Sequence, residues 1–338
     1  MHQQVTHSCP EILRLVARFA AAVSYTCLIG CAQLDLPDVS EYGHLPVSHS
    51  ISGLPYFPQE ADQCGPASLA TMLGARDIAV TPEKLRAKVY IPAKKGSLTT
   101  ELVAQARQHG MIVYTLRGEL TDVFSEISHN NPVLVLENLG FSWFPRWHFS
   151  VVVGYDLAES TISLRSGDHL SYDVNLALFQ KTWRRANSWA VVITDPKVLP
   201  RTAENVRFVN SANQLEQVGE TSAALEAYQA ALGQWPNSSL ALFGAGNTSY
   251  ALVQYDQASE YFSAYIEQTP GSAAGWNNLA YSLMKQSCEG AASSAMACAL
   301  QLAPDNAEFV GSHNELSDRV GQTSQRGCQI PSCPVPVL

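Results

Sequence analysis

A cysteine, Cys64, stands on a Gly-Pro step at the head of an apolar run, QEADQCGPASLATML, and 84 residues later a histidine, His148, opens the run HFSVVVGYD. Thiol and imidazole are the two groups of nucleophilic acyl chemistry: the thiolate attacks, and the imidazole takes and returns the proton. A thiol serves only once ionised, and the start of a helix lowers its pKa because unpaired backbone N–H groups face it. Pro66 suits the first helical turn, where no N–H is needed, and Gly65 lets the backbone approach a substrate closely. The competing reading is structural, since small buried cysteines at helix starts and satisfied core histidines are both common.

The elements that must position these two residues can be read from pattern. Helix signals cover 64–74, 82–90, where Thr81-Pro82-Glu83 makes a start, and 99–109, ended by Gly110. Strand signals follow at 111–116, 132–138, 148–156, 161–165 and 189–194. Helices first and mostly antiparallel strands later make an α+β domain with the half-and-half layout of a papain-like fold. If Asp156 to Ser160 form a turn, Tyr155 faces Thr161 and His148 faces Asp168. Directly opposed side chains on antiparallel strands lie about 5 Å apart at Cβ, so a carboxylate would sit beside the imidazole, able to fix its tautomer and stabilise its cation. A slip of one residue would bring Gly167 or His169 opposite instead. The aromatic run FSWFPRWH, 141–148, could line a substrate groove, although such a cluster before a strand is more often packing.

The second half carries a repeat. Pro236, Pro270 and Pro304 are spaced by 34 residues, as are Ala224, Ala258 and Ala292, the large residues Tyr228, Phe262 and Met296, and the small residues Ala212, Gly246 and Ala280. Each unit reads as a helix hairpin: the small residues let two helices approach, the large one fills the groove, and the proline ends the second helix. The pattern resembles the tetratricopeptide repeat, which predicts an all-α solenoid over 205–320 including a capping helix. Repeat 2 departs from it with Ser249 where a large residue is usual. The tail, 321–338, has no period and is expected to be poorly ordered.

A net charge of −9 and a pI near 5.5 give no basic stripe for phosphates, so no nucleic-acid partner is expected. Arg14 and Arg18 precede the apolar stretch 19–30, too short to span a bilayer, and then Cys31. Leu28-Ile29-Gly30-Cys31 resembles a bacterial lipobox. That resemblance implies a lipoprotein signal peptide over 1–30, acylation of Cys31, a tether over 31–50 and a lipid-anchored envelope protein; Ala32 after the cysteine favours the outer membrane, facing the periplasm. Cys288, Cys298, Cys328 and Cys333 then remain for disulfides, with three possible pairings. No CxxC pair or histidine spacing suggests a metal site, and no cofactor is expected.

PYFPQEADQCGPASLATML followed by WHFSVVVGYD resembles the C39-like cysteine peptidases, papain-like enzymes known for cutting double-glycine leader peptides. The similarity covers about 51–196, within a C39-like domain expected over 51–198, and the order of lipobox, peptidase-like domain and repeats matches bacterial lipoprotein C39-family peptidases with tetratricopeptide repeats. It implies Cys64 as nucleophile, His148 as base and Gln59 as oxyanion donor; Gln63 is a rival for that last role. The family carries its third residue in an Asp-Pro step after the histidine strand, whereas this chain reads LRSGDH, with Ser166 in that place and Asp168 nearby. The expected activity is hydrolysis of peptide bonds in a peptide or protein substrate, with the repeats recruiting substrate or a partner protein. An inactive papain-like domain serving as a binding scaffold, and a related Cys-His acyl transferase or amidase, are the alternatives. If the lipobox is read correctly, Cys31→Ser will shift the protein from the membrane to the soluble fraction on cell fractionation; equal membrane association of both forms would refute the anchor.

Overall fold

The computed structural model describes residues 42–58, 63–166, 169–317 and 328–334. The proposed leader, Cys31, Gln59 and Asp168 lie outside the described residues. The first domain consists of β1 (Ser48–Ser50), α1 (Cys64–Gly74), α2 (Pro82–Val89), α3 (Thr99–Gln108), β2 (Ile112–Thr115), α4 (Leu120–Ser128), β3 (Val133–Asn138), β4 (Trp147–Asp156), β5 (Thr161–Ser166), β6 (His169–Asn175), α5 (Leu176–Arg184) and β7 (Ala190–Thr194). The strands form one antiparallel sheet in the order β2-β7-β3-β4-β5-β6, with β1 paired to the far end of β4.

Valine-rich β3, β4 and β7 are covered on both faces, which is why they read as unbroken apolar runs rather than alternations. On one face Phe149, Val151 and Val153 of β4 meet Leu69, Met72 and Leu73 of α1 and Leu102 of α3. On the other, Val133, Val135, Val152 and Ile162 meet Phe124 of α4 and Phe179 and Trp183 of α5. The expected tether is in part fold: the Tyr42 ring lies edge-on against Phe124 at 5.1 Å, and the Tyr155 hydroxyl donates to the Pro46 carbonyl at 3.1 Å. β1, α4, β6 and α5 were not among the expected elements.

The repeats follow as α6 (Asn205–Gln217), α7 (Thr221–Gln234), α8 (Ser239–Ala251), α9 (Tyr255–Gln268), α10 (Ala273–Lys285), α11 (Glu289–Leu302) and the capping helix α12 (Ala307–Ser317). Ala224, Ala258, Ala292, Tyr228, Phe262 and Met296 are all buried, as the period requires. The small residues work by yielding space to rings: a Cβ on Gly244 would come within 2.4 Å of the Tyr228 ring, and one on Gly246 within 2.6 Å of the Phe262 ring. Ser249, the departure in repeat 2, is fully buried and its hydroxyl has no hydrogen-bond partner.

The two halves share one core, since Phe208, Val209, Leu215 and Tyr228 belong to the same cluster as the sheet residues Ile112, Tyr114 and Val192. The connection is held by Glu126, a fully buried carboxylate on α4 that accepts from Thr202 N (2.7 Å), Thr202 Oγ1 (2.6 Å), Arg201 N (3.1 Å) and Asn131 Nδ2 (2.8 Å). The disulfides pair Cys288 with Cys328 and Cys298 with Cys333. They hold residues 328–334, part of the tail expected to lack order, against α11, because a covalent tie replaces the apolar period that segment does not have. Among the described residues no helix is long and apolar enough to cross a membrane.

Gly246→Val should overpack the contact with Phe262 and cost about 1–3 kcal/mol, read as a lower melting temperature by circular dichroism. Adding Phe262→Leu should recover part of the loss, because the two sites share the space; an additive pair would contradict the contact.

Candidate active site

α1 begins at Cys64, and residues Gly65 to Leu73 are all buried. Cys64 itself is half-buried against the cluster that contains Phe149, and it takes part in neither disulfide. Gly65 was expected to give a substrate room; the structure fills that room with protein. A Cβ at Gly65 would lie 2.6 Å from Ser97 Oγ, and that buried hydroxyl has no hydrogen-bond partner. Glycine at 65 therefore admits the loop before α3 to the thiol-bearing turn. Gln63 is 8% exposed and does not cap the turn through its side chain.

Ser68, one turn beyond Cys64 and on the same helix face, donates its hydroxyl to the Phe149 carbonyl at 3.3 Å. The helix carrying the thiol is thus docked on the main chain one residue from His148. The segment leading to Gln59 is clamped as well. Arg165 Nη1 donates to the carbonyls of Leu54 and Pro55, each at 2.7 Å, and Pro55 fits where a Cβ on Gly74 would otherwise stand.

His148 is half-buried, and its Nε2 is hydrogen-bonded to Ser166 Oγ. Burial, and secondarily the positive charge of Arg146, push the imidazole pKa below its ordinary value. Ser166 is buried at the end of β5 and also hydrogen-bonded to the Tyr172 hydroxyl of β6. The expected hairpin register holds near the site, where Val151 pairs with Arg165, but a bulge between Val152 and Gly154 shifts the far end, so Tyr155 faces Ile162 and not Thr161. Since Ser166 pairs with His169 across the β5–β6 connection, β5 ends before residue 168, and the side chain placed on the imidazole is that of Ser166.

Three buried polar residues near His148 escaped the sequence reading. Glu137 of β3 is the direct cross-strand partner of His148, is 3% exposed, and accepts from Ser150 Oγ at 2.9 Å and Thr182 Oγ1 at 2.8 Å. A charged residue inside the apolar run PVLVLEN was the available signal. The aromatic run before His148 is not packing: Phe141, Trp143, Phe144 and Trp147 are exposed by 56–82%. The loop bearing them is fixed by Asn138 Oδ1, which accepts from Gly140 N and Arg146 N, and by Arg185, which donates to the Gly140 carbonyl at 2.6 Å. Among the described residues no cluster of His, Cys, Asp and Glu could hold a metal ion.

α1 thus carries a thiol at its start and is docked on the main chain next to His148, whose Nε2 is engaged by Ser166. Residues 51–191 match the Peptidase_C39 like family model, and the α+β domain they form resembles the C39 peptidase fold. Solved structures similar to parts of the chain include a C39-like peptidase from Bacillus anthracis (17% identity, 44% of this chain and 97% of that one, TM-score 0.37). Others are the peptidase domain of Streptococcus ComA, a bi-functional ABC transporter (17%, 42% and 98%, TM-score 0.35), and the tetratricopeptide-repeat protein YrrB (23%, 35% and 61%, TM-score 0.33). No curated protein matches the chain.

Gly65→Ala should force the 95–98 loop away from α1, cost about 1–3 kcal/mol and slow alkylation of Cys64. Ser97→Gly in the same chain should restore both; unaltered melting and reactivity in the single variant would show that the contact does not matter.

Proposed function

We propose that the first domain is a thiol peptidase with Cys64 as nucleophile and His148 as its base. One observation carries the reading: Ser166 occupies Nε2 of His148, which leaves Nδ1 for the proton of a thiol whose helix is docked on the next residue. Burial weakens the imidazole's hold on a proton, and as base it takes that of the thiol. The thiolate then attacks the peptide carbonyl, and the proton on His148 passes to the leaving amine. Water entering on the same side deacylates the enzyme, with His148 again as base. The Gln59 amide and a backbone N–H at the start of α1 are proposed to hold the tetrahedral oxyanion, a type of contact worth about 3 kcal/mol of transition-state stabilisation. Asp168 has no role in this scheme beyond lying close to Ser166 in sequence.

The rigid, exposed aromatic loop that runs into His148 suits a wall for apolar substrate side chains. The repeats are proposed to recruit a peptide or partner protein. Two disulfides favour an oxidising compartment, consistent with export through the proposed leader, a lipid anchor on Cys31 and a place at the outer membrane facing the periplasm.

A second reading, an inactive scaffold, draws on the hydroxyl that stands at Nε2 where a carboxylate would be stronger. A soluble form starting after Cys31, incubated with a peptide library and read by mass spectrometry, separates the two. Cleavage that Cys64→Ala abolishes, and that Gln59→Ala lowers by about a hundredfold, supports the peptidase. Intact peptides, or cleavage that survives Cys64→Ala, would overturn it.

A further inference from the structure

Glu137 is the buried ionisable group that the mechanism above leaves unused. It lies directly across β3 from His148, so both side chains project from the same face of the sheet. Ser150, two residues beyond His148 on that face, donates to one carboxylate oxygen, and Thr182 of α5 donates to the other. Two hydroxyl donors on an acid with 3% exposure are an arrangement for holding a carboxylate, and among the described residues Glu137 forms no ion pair. Among the described residues, the group at Nε2 of the imidazole is a neutral hydroxyl.

We infer that Glu137 is a positioning residue of the thiol–imidazole pair: its buried carboxylate, across the strand from His148, supplies the negative charge that favours the imidazolium form, in place of an acid bonded to the ring. The inference rests on the peptidase reading.

The groups around the imidazole can be placed element by element. β3 presents Glu137. The loop just before β4 contributes Arg146, whose charge opposes the imidazolium. β5 presents neutral Ser166, and β6 presents Tyr172, hydrogen-bonded to Ser166, with His169 5.5 Å from the Tyr172 ring. α1 presents Cys64. On α5, Thr182 turns inward while Lys181 and Arg184 are exposed. Glu137 is thus the one acid facing the imidazole among the described residues. Burial pushes its pKa above the ordinary carboxylate value, and the bonds from Thr182 and Ser150 offset only part of that penalty. An opposite charge within a few ångströms moves a titration by about 1–3 pH units.

The test is the rate of Cys64 alkylation by iodoacetamide as a function of pH in the otherwise intact protein. An ion pair gives a plateau bounded below by thiol ionisation and above by loss of the imidazolium proton. Glu137→Gln keeps the shape and removes the charge, and it should narrow the plateau by about one pH unit, whereas Arg146→Ala should widen it. Ser150→Ala, a small change that removes one bond to the carboxylate, should narrow it less, and it provides the same reading should the glutamine variant fail to fold. If the wild type shows a plateau that neither Glu137→Gln nor Ser150→Ala moves, the inference is wrong and the peptidase reading stands. If the wild type shows no plateau, the inference falls together with that reading.

Discussion

The site depends on where α1 is seated. A thiol at a helix start gains acidity from that helix wherever it lies, but it gains a base only if the first turn stays beside the strand that carries one. The seat is made by the apolar face Leu69, Met72 and Leu73 against Phe149, Val151 and Val153, and by the hydroxyl of Ser68 on the Phe149 carbonyl. Gly65 and Gly74 tighten it from the other side by admitting Ser97 and Pro55. Arg165 ties the segment that leads to Gln59 onto the same sheet. Burial of the apolar residues supplies most of the free energy, and the few polar contacts set the position.

The same sheet also anchors the repeats. Its other face continues into Phe208, Val209 and Tyr228, and Glu126 fixes the connecting segment through three hydrogen bonds, while a fourth from Asn131 holds the carboxylate itself. A buried carboxylate bonded in this way is specific about geometry, because no water is present to replace a lost partner. The repeats are therefore a continuation of the fold of the first domain, and any peptide they hold would be presented at a fixed distance from α1.

Much of this was legible in the sequence because periodicity and capping are local. The helix starting at Cys64, the strands around residues 133–138 and 147–156, and the 34-residue register of the repeats all follow from apolar spacing and from glycine and proline placement. What escaped depends on contacts between distant segments. Glu137, Ser150 and Thr182 become one polar group only when β3, β4 and α5 are assembled. A single bulge in β4 shifts the far half of the hairpin by one residue, and no residue type announces it. Short β1 and the held part of the tail have no apolar period; one is ordered by pairing with β4 and the other by disulfides. The exposed aromatic loop was weighed as packing because aromatic residues are usually buried, and only the assembled loop, fixed by Asn138 and Arg185, shows its rings facing out.

The central claim is that Cys64 and His148 act as one ionising pair. The most direct measurement is the pH dependence of Cys64 alkylation in the wild type and in His148→Ala. The account predicts that the wild-type thiol reacts well below the free-thiol pKa of about 8.5, and that His148→Ala removes this low-pH reactivity while leaving the fold intact by circular dichroism. A single titration step near the free-thiol value, the same in both proteins, would contradict it.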